Sequence, residues 1–158
     1  MKKRFPFKLE NSNSVSEKFA NGLKGIAMAS DNIGRVHTTW CQLLDGSIIK
    51  IQSDMNDIDG WHEIGCLELS TGHHEASVPK ITLLSNDWNN ISTIEKLCHD
   101  SAQCYAESGI VITNSIGQSI IIVCDANPYL LSIQAPFFSG EFLPEYELKS
   151  YTRTAFSG

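Results

Sequence analysis

From Ile26 onward the apolar residues recur at every second position, a period that fits a pleated strand and not a helix. Val36-His37-Thr38-Thr39-Trp40-Cys41-Gln42-Leu43-Leu44 and Ser47-Ile48-Ile49-Lys50-Ile51-Gln52 are rich in β-branched and aromatic residues. Asp45-Gly46 lies between them and predicts a hairpin closed by a two-residue type I′ turn, because both residues tolerate left-handed backbone. Gly109-Ile110-Val111-Ile112-Thr113 and Ser119–Cys124 form a second hairpin around Asn114–Gln118. Its second arm is apolar on both faces, as suits a central strand covered from each side.

Further strands are expected at Phe5–Leu9, Glu63–Leu69, Val78–Leu84 and Tyr129–Gln134, with Pro79 tolerated near an edge. Asp54 to Gly60 reads as a loop. Ser14-Val15-Ser16-Glu17 has the spacing of a capping box, followed by Phe19 and Leu23, so a short helix is expected near 15–23 with Gly25 as its stop. Between Trp88 and Cys98 both periods fit: Trp88, Ile91, Ile94 and Cys98 make a helical stripe, Ile91, Thr93, Glu95 and Leu97 a strand face. The aromatic tail of Pro136, Phe137, Phe138, Gly140, Phe142 and Pro144 is expected to cover an end of the core.

Many short strands with one or two short helices predict a mainly β fold, an antiparallel β-sandwich or strongly curved sheet, with α+β as the alternative. No repeat or linker divides residues 1–158, which read as a single domain. A chain of 158 residues with 42% apolar and only 19% charged residues has ample material for a packed core. Its longest apolar run, Ile120-Ile121-Ile122-Val123-Cys124, falls far short of the ~20 residues that cross a bilayer. Met1-Lys2-Lys3-Arg4 leads into Phe5-Pro6-Phe7-Lys8-Leu9-Glu10 rather than an apolar stretch, so a cytoplasmic protein without membrane association is expected. Cys41, Cys66, Cys98, Cys104 and Cys124 form an odd set without a C-x-x-C and read as buried, reduced thiols.

The net charge of −6 is unevenly placed. Asp54, Asp57, Asp59, Glu63, Glu68 and Glu75 lie between Lys50 and Lys80 with no intervening base, and Asp100, Glu107, Asp125, Glu141, Glu145 and Glu147 lie likewise between Lys96 and Lys149. Lys2, Lys3, Arg4 and Lys8 cluster at the start. Such a chain repels nucleic acid, whose phosphates need Lys and Arg, and attracts a basic protein.

Catalytic and metal motifs are thin. His73-His74-Glu75 sits beside Gly72, but adjacent side chains on extended backbone face opposite ways, so the two histidines do not serve one metal. Asp54-Met55-Asn56-Asp57-Ile58-Asp59-Gly60 resembles an EF-hand opening, yet its fifth position is Ile58 and its twelfth Gly65. No G-x-S-x-G, G-x-G-x-x-G or Walker loop occurs, and Cys98-His99 is a neighbour pair only. No metal, no cofactor and no catalytic residue is therefore assigned. Two alternatives stay open: a small hydrolase or metal-dependent enzyme using His62, His73, His74, Glu75 and Asp100, and a module binding a small ligand between its sheets.

Trp61, after the acidic run and before His62 and Glu63, would suit an interface anchor ringed by carboxylates, though packing is the simpler role for any Trp. The expected partner-binding residues are Asp54, Asp57, Asp59, Trp61, Glu63, Glu75, Glu141 and Glu145.

In the C-terminal third, Glu107-Ser108-Gly109-Ile110, Gly117, Ile120–Val123, Pro128-Tyr129 and Pro144-Glu145-Tyr146, with Leu148, Tyr151 and Arg153, resemble short bacterial proteins. Some of these look like immunity proteins encoded beside toxins of polymorphic or contact-dependent growth inhibition systems. The resemblance implies a non-catalytic protein that covers a cognate toxin domain, such as a nuclease with a basic active-site face. It carries no catalytic motif and transfers no residue role; it favours an extended Ile91–Cys98.

Overall fold

The computed structural model describes residues 2–10 and 14–156. The chain is mainly β, with two largely antiparallel sheets and one short helix in a β-sandwich-like arrangement. In chain order the elements are β1 (Lys3–Phe5), β2 (Lys8–Glu10), α1 (Val15–Ala20), β3 (Leu23–Ser30), β4 (Val36–Leu43), β5 (Ile48–Asp57), β6 (Glu63–Ser70), β7 (Thr82–Leu83), β8 (Ile91–Asp100), β9 (Cys104–Asn114), β10 (Ser119–Cys124), β11 (Leu131–Gln134) and β12 (Thr152–Ala155). One sheet runs β2-β6-β5-β4-β3-β7, the other β11-β10-β9-β8-β12, with β1 added in parallel to β9. Each is founded on an antiparallel meander, β3 to β6 in the first and β8 to β11 in the second.

Strand alternation builds the core. Ile49 and Ile51 of β5 and Leu67 and Leu69 of β6 meet Ile110 and Ile112 of β9 and Ile120 and Ile122 of β10, all fully buried or nearly so. Ile121 and Val123 point the other way, onto Leu97, Val111 and Tyr151, where Phe142, Tyr146 and Leu148 pack against them. β10 is thus covered on both faces, as its sequence required. The aromatic tail divides: Phe138 packs against the core between the sheets and Phe137 meets the buried Trp88 edge-on at 6.2 Å, covering the core as the sequence suggested, while Phe142 runs on to the outer face of the second sheet.

Several local expectations are corrected by tertiary pairing. Phe5–Leu9 is not one strand: Pro6 has no N–H to give a ladder, and the chain crosses there from β1 on the second sheet to β2 on the first. Of Asp54 to Gly60, only residues 58–60 are loop, because Asp54–Asp57 extends β5 against Cys66–Glu63 of β6. The Asn56 side chain seals that register by donating to Ile64 O at 3.2 Å. Of Val78–Leu84, only Thr82–Leu83 pairs, on the edge of β3. Trp88 is buried in a 3-10 turn (Asn86–Asn89), and β8 follows it, so the ambiguous segment is strand from Ile91. Helix α1 ends at Ala20, with Gly22 (φ 108°) and not Gly25 at its turn.

The β4–β5 hairpin closes with Gly46 N–H donating to Leu43 O at 3.0 Å and Leu43 N–H to Ser47 O at 2.9 Å. Only Gly46 (φ 87°) is left-handed there, so the loop has three residues ending in a glycine bulge, instead of a two-residue type I′ turn. Asp31–Arg35 and Asn114–Gln118 close in the same way, around Gly34 and Gly117. All five cysteines are free and buried, and burial pushes the Cys41 thiol up to about 12. Among the described residues, no helix is long and apolar enough to cross a membrane.

Candidate functional site: the loop end of the sandwich

A meander reverses at every turn, so alternate turns emerge at one end of a sheet. The β3–β4 and β5–β6 turns share an end of the first sheet; the β8–β9 and β10–β11 turns share an end of the second. The two ends coincide. Gly34 and Arg35 line one cavity with Asp125 and Asn127. Lys3 links Gln103 O (3.3 Å, through its N–H) to Asp57 O (3.4 Å, through Nζ).

Four large apolar side chains stand exposed at this end: Ile33 (70%), Trp61 (90%), Tyr129 (57%) and Leu143 (41%). The opposite end exposes Leu44 and Ile116, on two separate hairpin turns. Trp61 owes its exposure to a braced hairpin tip. Ile58 N–H donates to His62 O at 2.8 Å, and Asp57 Oδ1 accepts from Gly60 N–H at 2.8 Å. Asp59 Oδ1 accepts the N–H groups of Trp61 (3.0 Å) and His62 (2.9 Å), and its Oδ2 meets His62 Nδ1 at 2.9 Å. The His62 ring, followed by these backbone donors, holds the Asp59 carboxyl down to about 2, so the tip carries a fixed negative charge.

Ile33 is presented similarly. Asp31 Oδ1 accepts from Ile33 N–H at 3.0 Å and Arg35 N–H at 2.9 Å. Tyr129 sits at φ 63°, the left-handed region that a non-glycine residue rarely occupies.

Of the residues picked from sequence, Asp57, Asp59, Trp61 and Glu63 come together at the β5–β6 tip, and all four are exposed. Asp54 is ion-paired to Lys8. Glu75 lies beyond Ser70, at the far end of β6, which at ~3.3 Å per residue puts about 25 Å of strand between it and Glu63. Glu141 is exposed on the rim of the Arg35–Asp125 cavity. Glu145 turns inward, accepting from Gly65 N–H at 3.1 Å, and burial raises its carboxyl above the usual carboxylate range.

The two base-free stretches of sequence are not base-free in space. The N-terminal lysines fold onto them, Lys2 to Asp100 and Lys8 to Asp54, and Lys96 meets Glu107 at 2.9 Å. What stays unneutralised is narrower than the sequence implied, and it concentrates at the loop end. Sequence reasoning missed Ile33, Arg35, Asp125, Tyr129 and Leu143. The Asp31-Asn32-Ile33-Gly34 turn was a usable signal; the left-handed Tyr129 had none.

The residues of the enzyme alternative do not converge. His62 is at the β5–β6 tip, whereas His73 lies past the other end of β6, with Nε2 2.8 Å from Ser70 Oγ. Asp100 pairs with Lys2. Among the described residues, no group of three or more His, Cys, Asp or Glu side chains is arranged to hold a metal ion. Compared with known proteins, the chain matches no family model, no curated protein and no solved structure.

Proposed function

We propose that this is a non-catalytic protein-binding domain, an immunity protein that occupies the basic face of a cognate toxin domain in the bacterial cytoplasm. The observation that carries the reading is Trp61, 90% exposed on a tip whose backbone is locked by Asp57 and Asp59. An indole left in water gains nothing for folding, while an aromatic on a braced backbone, carried by the same tip as Asp57, Asp59 and Glu63, offers an interface apolar area without the cost of ordering a loose loop. Asp57, Asp59 and Glu63 add the electrostatic half, steering a basic partner and setting its orientation. The acidic surface works against nucleic acid as a direct ligand.

The test is titration of the proposed cognate toxin domain, in catalytically inactive form, at rising salt. Association should slow as salt rises, and Asp57→Asn, Asp59→Asn and Glu63→Gln together should remove most of that dependence. Equal association rates for the wild type and the triple variant at all salt concentrations would remove the electrostatic role of the tip.

A further inference from the structure

Between the β3–β4 turn, the β10–β11 turn and the tail lies a cavity of about 110 Å³. Metabolite sites run to ~300–1,000 Å³, so this one suits a single side chain rather than a whole small molecule. Its floor is apolar, made by the buried Val36, Leu131 and Ile133 with Phe138. Its mouth is charged: Asp125 is half-buried and Glu141 exposed, with the exposed Arg35 as the one lining cation. Asp125 is held by its own turn, Oδ1 accepting from Asn127 N–H at 2.8 Å and Asn127 Nδ2 at 2.9 Å. Among the described residues, neither Asp125 nor Glu141 forms an ion pair within the protein.

We infer that this cavity receives a lysine or arginine side chain from the bound protein, its alkyl stem on the Val36–Leu131–Ile133–Phe138 floor and its cationic head between Asp125 and Glu141. The inference rests on the protein-binding reading and extends the contact surface from the β5–β6 tip to the neighbouring turns. An apolar floor under a polar mouth matches the division of a long basic side chain into stem and head. Two carboxylates against one guanidinium leave the mouth net negative, which selects a cation over an anion. Ile33, Tyr129 and Leu143 stand exposed at the same end and would shield the seated head group from water, where a charge pair is worth more.

The probe is n-butylammonium chloride, a lysine side chain without its backbone, with sodium butyrate as the anionic counterpart. Both are titrated into the full chain while the backbone amide resonances of Leu131 and Ile133 are followed by NMR. Butylammonium should move those resonances saturably and butyrate should not. Asp125→Asn with Glu141→Gln should raise the apparent Kd at least about tenfold, since a charge-assisted contact is worth about 1.5–3 kcal/mol. Glu141→Gln alone, at an exposed position, should raise it several-fold and serves if the Asp125 change disturbs its turn. Saturation by butyrate instead, or a butylammonium titration unaltered in both variants, overturns the inference. Trp61→Ala should leave this titration untouched. Loss of partner binding in that variant while butylammonium fails to saturate the wild-type cavity would sink the cavity inference alone; the reverse pattern would sink the tip.

Discussion

Two regions of this molecule hold carboxylates near apolar surface, and they treat them in opposite ways. Where the N-terminal segment crosses between the sheets, Glu107 is almost fully buried. It accepts from Phe7 N–H (2.8 Å), Lys96 Nζ (2.9 Å) and Tyr105 Oη (2.7 Å). Burial pushes its carboxyl up, but the three donors together outweigh burial and hold it below the ordinary value. The Lys96 ammonium also lies over the rings of Phe7 (5.5 Å) and Phe156 (5.4 Å), so the charge is held by aromatic faces as well as by Glu107. At the loop end Asp57, Asp59 and Glu63 are exposed beside a bare indole, and only Asp59 has a titratable partner, His62. At the crossing the acid is enclosed by its donors and closes the fold; at the tip Asp57 and Asp59 brace their own turn and keep their charge in water. Glu145 stands between the extremes, half-buried with a single backbone donor, and its carboxyl is raised rather than lowered.

Changes at the crossing should therefore cost most. Glu107→Ala strips Lys96 of its partner and Phe7 N–H of its acceptor, and should destabilise by about 2–4 kcal/mol in urea unfolding. The wild-type contribution is fully present above the ordinary glutamate range and is lost as pH falls through the lowered value. Glu107→Ala should flatten that acid limb. An unchanged acid limb in the variant would show that Glu107 does not set it.

Gly65→Ala comes next. A Cβ there would lie 2.8 Å from both Cβ and Sγ of Cys124, across the sheet interface, and should cost about 1–3 kcal/mol. Pairing it with Cys124→Ala should recover part of the loss in a double-mutant cycle, whereas strict additivity would contradict a direct clash.

Glu145 should show the opposite sign to Glu107. Its raised carboxyl means that the folded state binds a proton more readily, so its contribution falls as pH rises from the ordinary carboxylate range through the raised value. Glu145→Gln keeps an acceptor for Gly65 N–H without the charge. It should gain stability relative to wild type as pH climbs from the ordinary glutamate range through the raised value. A difference between the two proteins that does not change with pH would count against the raised carboxyl.

The contrast between these regions was only partly legible in the sequence. Period-two patterning located the meander strands, because burial on one face forces alternation, and the run at Ile120–Cys124 announced a strand covered on both faces. The sequence could not say that Asp54–Asp57 is strand, since four polar-leaning residues are held extended by pairing with β6 and by the Asn56 side chain. Nor could it distinguish Glu107 from Asp57, though both sit in base-free stretches: pairing with Lys96 depends on β8 and β9 being neighbours. The tip was half legible. Asp57-Ile58-Asp59-Gly60 has turn composition, yet whether Trp61 points inward or outward depends on Asp59 capturing the following N–H groups. The companion loops at Ile33 and Tyr129 join the tip only through the stacking of two sheets.

The smallest folding effect belongs to the residue given the largest functional weight. Trp61→Ala should shift stability by no more than about 0.5 kcal/mol, because the side chain packs against almost nothing. Calorimetric titration of the proposed partner, a toxin domain with a basic face, into wild type and Trp61→Ala, with thermal melts of both alone, measures the two quantities side by side. Superimposable melts and a loss of at least about 2 kcal/mol in binding are expected. Unchanged binding, or a binding loss matched by an equal loss of stability, would contradict the assignment of the loop end as the partner surface.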